Sequence, residues 1–490
     1  MAQEVQKATR ESAVVVGGGI SGLLAARQLA QQGLRVTLVE KRTHLGGAVG
    51  AHQVGGTVLD SGAESFATRT SAVSDLLEEL RIADKVCQPY DGGSWLYLQD
   101  GAHPAPRTGV MGIPGDLSDP SLRTILTASG LRRAKLDKVL PASVGSHAKT
   151  IGELVKARMG QQVLDRLVAP VTTGVHSIHP NELEIDSILP GLRGAVTKQG
   201  SLAAASASLR AMSPAGSQVA SLVGGMNQLS EALVDDVLRR RVRILTGYDT
   251  IAIDRDPVRG GWTLLQRQPK LGERAAPVHG KYLVMATDGP TTLRILGSHM
   301  DGQDLPQMTP GHEIALVTLM IEQPELDSRP RGTGILVSDQ VTAVRAKAMT
   351  HASAKWEWIT EQLGEGKHVV RLSYGRGTDS GPLQEVSLYD DQLITLAMHD
   401  ATKLLGCSIS RKNLIGADVV RWKGSLPAAR PGHKQKVAQF RERLDDLPGV
   451  TAVGAWLAGN GLAAVTVDTQ RTVARFIENE VESGADSDSV

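Results

Sequence analysis

The chain has 490 residues, 41% of them hydrophobic and 21% charged, with 53 Lys and Arg against 52 Asp and Glu. This length predicts about two or three domains, and a net charge of +1 excludes a global attraction to nucleic acid or to an acidic membrane. Two cysteines without a CxxC pair disfavour a disulfide framework and a cysteine-rich metal site. The N-terminus has no signal-peptide core and no apolar run reaches transmembrane length, so we expect a cytoplasmic location, with peripheral membrane contact left open.

A buried strand, a glycine-rich turn and a helix form the first predicted elements. The strand covers residues 13–16, and the motif G-x-G-x-x-G follows at once, with a helix that starts near Ile20. The three glycines permit a tight turn, a close approach of backbone to a pyrophosphate, and close packing of helix on sheet. The helix N-terminus attracts the phosphates. The predicted phosphate-binding residues are Gly17, Gly18, Gly19, Ile20, Ser21 and Gly22.

The second strand, LRVTLVE, ends in an acidic residue at the position of a ribose ligand. Glu40 follows Gly22 by eighteen residues and precedes Lys41, and the glycine pair Gly46 and Gly47 comes shortly after. Together with the turn, this strand and its acid predict a dinucleotide-binding unit. The extended motif EKRTHLGG resembles that of FAD-dependent amine oxidases, in which the glycine pair lets a loop cross near the diphosphate. The predicted cofactor is therefore FAD, although Ala48 replaces a basic residue that many members carry.

Later segments predict the returning pieces of a discontinuous domain. Residues 219–238 predict a glycine turn and a helix with apolar Met226, Leu229, Leu233 and Val237, and residues 242–267 predict three short strands. KYLVMATDGP predicts a further buried strand, and the segment from Gly449 predicts a strand, a glycine turn and a closing helix.

The predicted class is α/β, a discontinuous Rossmann-like FAD-binding domain with an α+β substrate-binding domain and a helical insertion. The predicted boundaries are 12–95, 219–300 and 423–480 for the FAD-binding domain, 96–218 for the mainly helical insertion, 301–422 for the substrate-binding domain, and 1–11 and 481–490 for disordered tails.

Four blocks make a family resemblance specific. They are DSGAESFATR (60–69), PAPRTGVMGIP (104–114), APVTTGVHSIHPNELEI (169–185) and SLVGGMNQLSEAL (221–233). We interpret the third as a proline, a glycine turn and a second proline before an apolar strand. From Ala13 to about Ile477, the chain resembles the porphyrinogen oxidases. This implies a flavoenzyme of haem biosynthesis that oxidises a porphyrinogen with O2 and releases H2O2. The blocks VMGIP and GVHSIHP favour coproporphyrinogen III over protoporphyrinogen IX as substrate.

The resemblance also implies further cofactor-binding residues. A turn beside the flavin would comprise Gly62, Ala63, Glu64 and Ser65, with Ala63 in place of the usual proline. The backbone of Thr250 would hold the adenine, where relatives use a valine, and Trp422 would lie beside the flavin. The start of the closing helix would face the isoalloxazine, where its dipole would stabilise reduced flavin; its residues are Asn460, Gly461 and Leu462.

Substrate-binding residues are harder to identify from the sequence. Arg107 is our candidate for a propionate because arginine binds carboxylates through a bidentate fork, the alternative being a solvated surface arginine. His176 is a candidate for the macrocycle cavity, the alternative being a structural histidine. It forms an H-x-x-H pair with His179, but no acidic or cysteine partner lies at zinc-like spacing, so we expect no metal. We expect no catalytic side chain either, since the flavin would carry the chemistry.

Two other classes of function stay open. An amine oxidase on the same fold would use aromatic rings near the flavin, and only 3% of this chain is aromatic. A non-catalytic FAD-binding redox sensor would be consistent with the unusual residues Ala48, Ala63 and Ala463. If the porphyrinogen interpretation holds, a ferrochelatase is the expected partner that takes the product.

Overall fold

The computed structural model describes residues 11–212, 219–268, 274–300, 312–376, 385–426, 430–459 and 461–482. The predicted disordered tails fall almost entirely outside these ranges, and so does Asn460. Within them the chain mixes parallel and antiparallel sheets with helices, so the predicted α/β class is confirmed.

A five-stranded parallel sheet collects strands from distant parts of the chain. In spatial order its strands are Arg243–Thr246, Arg35–Glu40, Ser12–Val16, Tyr282–Met285 and Val450–Ala452. All four pairings are parallel, as expected where helices connect successive strands. We call it the nucleotide sheet.

Three helices pack on the nucleotide sheet and share one hydrophobic cluster. They are the opening helix Ile20–Gln31, the helix Asn227–Arg239 and the closing helix Leu462–Phe476. The apolar stripe predicted for the second of them is fully buried from Met226 to Val237. Helical periodicity therefore identified the buried face correctly.

Smaller sheets surround this core. An antiparallel three-stranded sheet comprises Asp249–Arg255, Trp262–Arg267 and Arg274–Gly280, and a second one comprises Phe66–Ala67, Val219–Leu222 and Val86–Cys87. Two hairpins pair Ala51–Val54 with Thr57–Asp60 and Gly109–Val110 with Ile113–Pro114. The three strands predicted within 242–267 are confirmed.

A seven-stranded sheet forms the second large layer. Its spatial order is Leu414–Leu426, His312–Glu322, Lys367–Tyr374, Ala348–His351, Gly334–Val337, Trp95–Leu98 and Gly101–Pro104. Helix Asp390–Leu405 covers one face and shares a hydrophobic cluster with it. The sequence predicts that residues 96–104 belong to the mainly helical insertion of 96–218. In the structure they lie in this sheet instead. The short run WLYL pairs locally with the second strand of its own hairpin. On its other side it pairs in parallel with a strand about 240 residues later.

Short helices fill residues 122–211 around a separate hydrophobic cluster. Their bounds are Leu122–Ile125, Ala128–Lys135, Ile151–Met159, Gln161–Val163, Ala169–His176, Ile185–Ile188, Leu192–Gln199 and Leu202–Ala211, with a π-helical turn at Leu164–Val168. We call this group the helical insertion. A fully buried ion pair joins Asp137 and Arg158 at 2.6 Å within it.

The block 169–185 differs from its predicted form. Ala169–His176 is a helix in place of a glycine turn, and it continues without a break from the π-helical turn Leu164–Val168. Gly174 lies inside this helix, where a Cβ would come within 2.5 Å of Leu336 Cδ2. The predicted apolar strand is the short helix Ile185–Ile188.

The remaining helices lie between the sheets and along the nucleotide sheet. The α-helices are Ala72–Glu79, Gly289–Leu296, Ala352–Lys355, Glu357–Leu363, His433–Asp445 and Ala455–Ala458. The 3-10 helices are Ala83–Lys85, Leu136–Lys138, Pro180–Glu182, Pro324–Ser328 and Arg411–Asn413, and a π-helical segment covers Ile477–Glu482.

Candidate flavin-binding site

The glycine-rich turn leaves the first strand of the nucleotide sheet and enters the opening helix. Gly17 N–H donates to the carbonyl oxygen of Val39 at 2.8 Å. A Cβ on Gly22 would lie 1.8 Å from the carbonyl oxygen of Gly17, so no other residue fits there. A Cβ on Gly19 would instead meet only Gly47 Cα, at 3.9 Å. The turn is thus closed on its sheet side and open above Gly19, where the N-terminus of the opening helix, from Ile20 and Ser21 onward, can bind phosphate.

The glycine pair crosses this turn. Gly46 N–H donates to the carbonyl oxygen of Gly18 at 2.8 Å, and Gly46 also forms a bridge with Gly19. Gly47 has a φ of 58°, and a Cβ on it would lie 3.0 Å from Gly19 Cα. Two backbone segments therefore approach each other beside the phosphate cradle, which is the arrangement that the spacing predicts.

The acid at the end of the second strand is held in place by backbone. Glu40 accepts hydrogen bonds from the N–H groups of Gly18 at 2.6 Å and Arg42 at 2.7 Å. Lys41 Nζ lies 3.3 Å from a carboxylate oxygen of Asp249, so the neighbouring Thr250 lies beside the same strand end. The Thr250 hydroxyl is buried against the Gln266 side-chain amide. Its strand has one pairing partner among the described residues, and side chains of Arg294 and His299 donate to the carbonyl oxygens of Ile251 and Ile253.

Residues 60–65, which we call the flavin-side turn, pack on the glycine-pair loop. Ala63 N–H donates to the carbonyl oxygen of Ala48 at 2.8 Å. A Cβ on Gly62 would lie 2.2 Å from the same carbonyl, so glycine is required at that position. Ser65 follows in extended backbone before the strand Phe66–Ala67. Two loops that are distant in sequence from the first glycine turn thus join it in one site.

A buried charge cluster clamps the flavin-side turn to the seven-stranded sheet. The Glu64 carboxylate receives Lys355 Nζ and Arg371 Nη2, both at 2.7 Å. Arg371 Nη1 also donates to the carbonyl oxygen of Gly62 at 2.8 Å. Burial alone would raise the pKa of Glu64, but the adjacent Lys355 and Arg371 cations lower it to about 2. Glu64 is therefore ionised and fully paired, which leaves the backbone of the turn to contact a cofactor.

Asp60 is the second carboxyl group of this turn. Burial raises its pKa to about 7, against the backbone N–H groups of Met226 and Asn227 and the charge of Arg371, which lower it. Asn227 N–H donates to Asp60 Oδ1 at 3.1 Å. At neutral pH Asp60 is therefore only partly ionised, beside the ion pairs of Glu64.

Trp422 and the closing helix complete the site. The Trp422 indole N–H donates to the carbonyl oxygen of Ser61 at 3.1 Å, and the Arg42 guanidinium lies 4.5 Å from the centre of its ring. The closing helix begins at Leu462, after Gly461 with a φ of 109°. Leu462 packs in the same hydrophobic cluster as Ala63. The start of this helix and the flavin-side turn therefore pack against the same hydrophobic cluster.

The two predicted substrate residues lie in different environments. Arg107 is exposed and pairs with the exposed Asp91 at 3.1 Å. His176 ends the helix Ala169–His176, and burial lowers its pKa to about 4, so its ring is neutral at neutral pH. His179 lies 3.7 Å from Asp339. Among the described residues, no group of three or more His, Cys, Asp and Glu side chains is arranged to hold a metal ion.

Sequence reasoning missed the cations of the site. Lys355 and Arg371 meet Glu64 across 291 and 307 residues of chain, and no local pattern predicts such pairs. Arg42 follows Glu40 by two residues, but its stacking on Trp422 needs two strands from different sheets. The one available signal is the acid inside a glycine turn, since a buried Glu requires a partner.

Comparison with known proteins identifies the family. The model described as flavin containing amine oxidoreductase matches residues 20–468. The chain belongs to this family. The family is described as flavin-containing, which confirms the predicted cofactor, and this chain is therefore an oxidoreductase.

Relatives of known description resemble the chain over nearly its whole length. It is 28% identical to the coproporphyrinogen III oxidase of Mycobacterium bovis over 96% of this chain and 98% of that protein. It is 24% identical to the coproporphyrinogen III oxidase of Bacillus subtilis, over 92% of this chain and 95% of that protein. The predicted resemblance to porphyrinogen oxidases is therefore confirmed.

Solved structures agree with this placement. A candidate protoporphyrinogen oxidase from Exiguobacterium superposes with a TM-score of 0.81 and 26% identity, over 96% of this chain and 99% of that one. A reduced UDP-galactopyranose mutase, at 14% identity and a TM-score of 0.68, shares the fold. In the part of the chain that the structure describes, no helix is both long and apolar enough to cross a membrane.

The residues present fit FAD. The open space above Gly19 is a cradle that a side chain at that position would fill. A helix N-terminus, an acid at the strand end and the edge strand of Thr250 suit a diphosphate, a ribose and an adenine.

Proposed function

We propose that this protein oxidises coproporphyrinogen III to coproporphyrin III with O2, in haem biosynthesis. The observation that carries the proposal is the near-complete coverage by coproporphyrinogen III oxidases, which includes the nucleotide sheet, the helical insertion and the seven-stranded sheet. The reaction removes six electrons and six protons from the porphyrinogen in three two-electron steps. Three O2 are reduced to three H2O2.

FAD, when bound, supplies the two-electron acceptor and returns the electrons to O2. The chain's part is to bind and orient. The backbone from Gly17 to Gly22 binds the diphosphate, Glu40 accepts from the ribose, and the edge at Thr250 takes the adenine. Arg371 holds the flavin-side turn at its Gly62 carbonyl. Each two-electron step removes a hydride from a meso carbon and a proton from a pyrrole N–H, and the two together convert one O2 into one H2O2.

Three assignments rest on family resemblance. Coproporphyrinogen III is favoured as substrate, and protoporphyrinogen IX is the alternative because of the structural similarity to a candidate protoporphyrinogen oxidase. A ferrochelatase is the proposed acceptor of the product, and the cytoplasm is the proposed location. Arg107 and His176 are the residues proposed for the substrate from the sequence.

The decisive experiment supplies each porphyrinogen separately to the purified yellow protein. O2 uptake and the rise of porphyrin fluorescence are recorded at matched concentrations, with Gly22→Ala protein as the control that should lack FAD. Faster oxidation of coproporphyrinogen III with release of H2O2 supports the proposal. Faster oxidation of protoporphyrinogen IX would reassign the substrate. Bound FAD without turnover of either compound would refute the oxidase and favour the redox sensor.

A further inference from the structure

A buried lysine lies between the helical insertion and the seven-stranded sheet. Lys347 is 1% exposed, and its Nζ donates to the hydroxyl of Ser177, which is itself fully buried. Among the described residues no carboxylate pairs with this ammonium, and the nearest charge acting on it is the guanidinium of Arg376. A buried ammonium held by one neutral hydroxyl is costly, because a buried charge needs a partner of opposite sign.

Further polar groups at this boundary are unpaired. Arg376 donates to the carbonyl oxygens of Ser338 at 3.1 Å and Ala346 at 2.9 Å. The charges of Asp339, Glu385 and Asp400 also act on it, but within the described part of the chain its buried Nε has no hydrogen-bond partner. The hydroxyl oxygen Oγ1 of Thr173, one turn before Ser177, likewise has no partner among the described residues. Buried polar groups are usually hydrogen-bonded, so unpaired donors close to an unneutralised ammonium indicate a missing ligand.

Local backbone supports a role for the Ser177 hydroxyl. Ser177 ends its helix in the left-handed region, with a φ of 57°, where glycine would be the unstrained choice. A serine occupies this position, and its hydroxyl accepts a hydrogen bond from Lys347 Nζ. The preceding residues, His176 and the 54% exposed Val175, bring the helix end to an accessible surface. The Ser177 hydroxyl and Lys347 themselves are buried beneath this helix end.

We infer that Lys347, the Ser177 hydroxyl and Arg376 form a carboxylate-binding site, and that it takes a propionate of the porphyrin macrocycle. The substrate identity rests on the proposed function. A propionate supplies the negative charge that Lys347 lacks and the acceptors that Arg376 Nε and Thr173 Oγ1 lack. Arg107, by contrast, is exposed and already paired with Asp91. The site places specificity at the boundary of two substructures, away from the residues predicted to hold the cofactor.

The test measures porphyrin binding without turnover. Coproporphyrin III and its tetramethyl ester are titrated into FAD-loaded protein, with quenching of porphyrin fluorescence as the readout. Lys347→Met keeps the length of the side chain and removes its charge. The matched control is Lys403→Met, since Lys403 lies on the helix Asp390–Leu405 and binds one carbonyl, that of Ala343. Lys347→Met should weaken the binding of coproporphyrin III at least about tenfold. The binding of the ester and the FAD content of the protein should stay unchanged.

Proton uptake separates ligand binding from a structural role. Burial, with the nearby Arg376 charge, lowers the pKa of Lys347 to about 7. A bound carboxylate raises that pKa again, so at pH 7.5 the wild type should take up roughly half a proton or more on binding. Calorimetry in two buffers of different ionisation enthalpy measures this uptake, which Lys347→Met should abolish.

The outcomes distinguish the two proposals. Equal weakening of coproporphyrin III and the ester, or unchanged binding of both, overturns the carboxylate site and leaves the oxidase standing. Failure of the wild type to bind any porphyrin overturns the proposed function itself.

Discussion

Replacing Glu64 by Gln should destabilise the fold by about 3 kcal/mol at neutral pH. The variant keeps the size of the side chain but leaves Lys355 and Arg371 buried without a carboxylate. The lowering of the Glu64 pKa from its ordinary value of 4.5 to about 2 corresponds to about 3 kcal/mol at 1.36 kcal/mol per pKa unit. This agrees with the roughly 3–5 kcal/mol lost when one partner of a buried ion pair is removed.

The pH dependence follows from the same pKa. A carboxyl whose pKa is lowered in the folded state contributes its full stabilisation above its unfolded pKa and loses it as the pH falls through the folded value. The stability difference between wild type and variant should therefore be full above pH 4.5 and shrink toward zero near pH 2.

Urea unfolding followed by tryptophan fluorescence measures this difference, since Trp422 contacts the same turn. Glu78→Gln is the matched control, because Glu78 is exposed on the helix Ala72–Glu79 and should change stability by less than about 0.5 kcal/mol. A loss below about 1 kcal/mol for Glu64→Gln at pH 7, or a loss that does not shrink in acid, would refute the clamp.

Three further predictions concern the cradle and the helical insertion. Gly22→Ala should abolish FAD binding, because its Cβ would lie 1.8 Å from a carbonyl oxygen. Absorbance at 450 nm measures the bound FAD. The control Gly194→Ala should keep FAD, because the space around Gly194 is open. Asp137→Asn should lower the free energy of unfolding by about 3–5 kcal/mol, measured in urea, because Arg158 would lose its buried partner; retention of wild-type stability contradicts this. Burial lowers the pKa of His176 to about 4, so the stability of the wild type should fall as the pH drops from 6.5 toward 4. His176→Gln should reduce that fall in acid titrations followed by circular dichroism. Parallel titration curves of wild type and variant would contradict this.

Local patterns predicted the parts of the fold that local physics decides. The glycine turn, the opening helix and the buried stripe from Met226 to Val237 are sites where periodicity and steric need act within a few residues. Proline and glycine occur in turns more often than in helices, so the block 169–185 predicted a glycine turn where the structure has a helix. The strand Trp95–Leu98 was missed for another reason, since its partner lies about 240 residues away.

The candidate site likewise contains residues that local spacing predicts and residues that only the packing of distant elements brings together. Sequence spacing predicts that Glu40 and the glycine pair adjoin the phosphate turn, and the structure brings them together. The pairing of Glu64 with Arg371 depends on how two sheets pack, which no spacing encodes. Lys347 is similar, because its sequence neighbours give no sign that its ammonium is buried. The positions predicted for Asn460 and for the tails lie outside the described residues.

The parallel pairing of Trp95–Leu98 with Gly334–Val337 has a consequence for synthesis on the ribosome. At roughly 5–20 residues per second, the partner strand emerges about 10–50 s after the first one. During that interval the hairpin of residues 95–104 has an unpaired edge, and unpaired edges invite association with other chains. Nascent-chain folding of this protein should therefore depend on holding that hairpin apart from its neighbours until translation has passed residue 337, and a chaperone that binds short apolar strands would raise its yield.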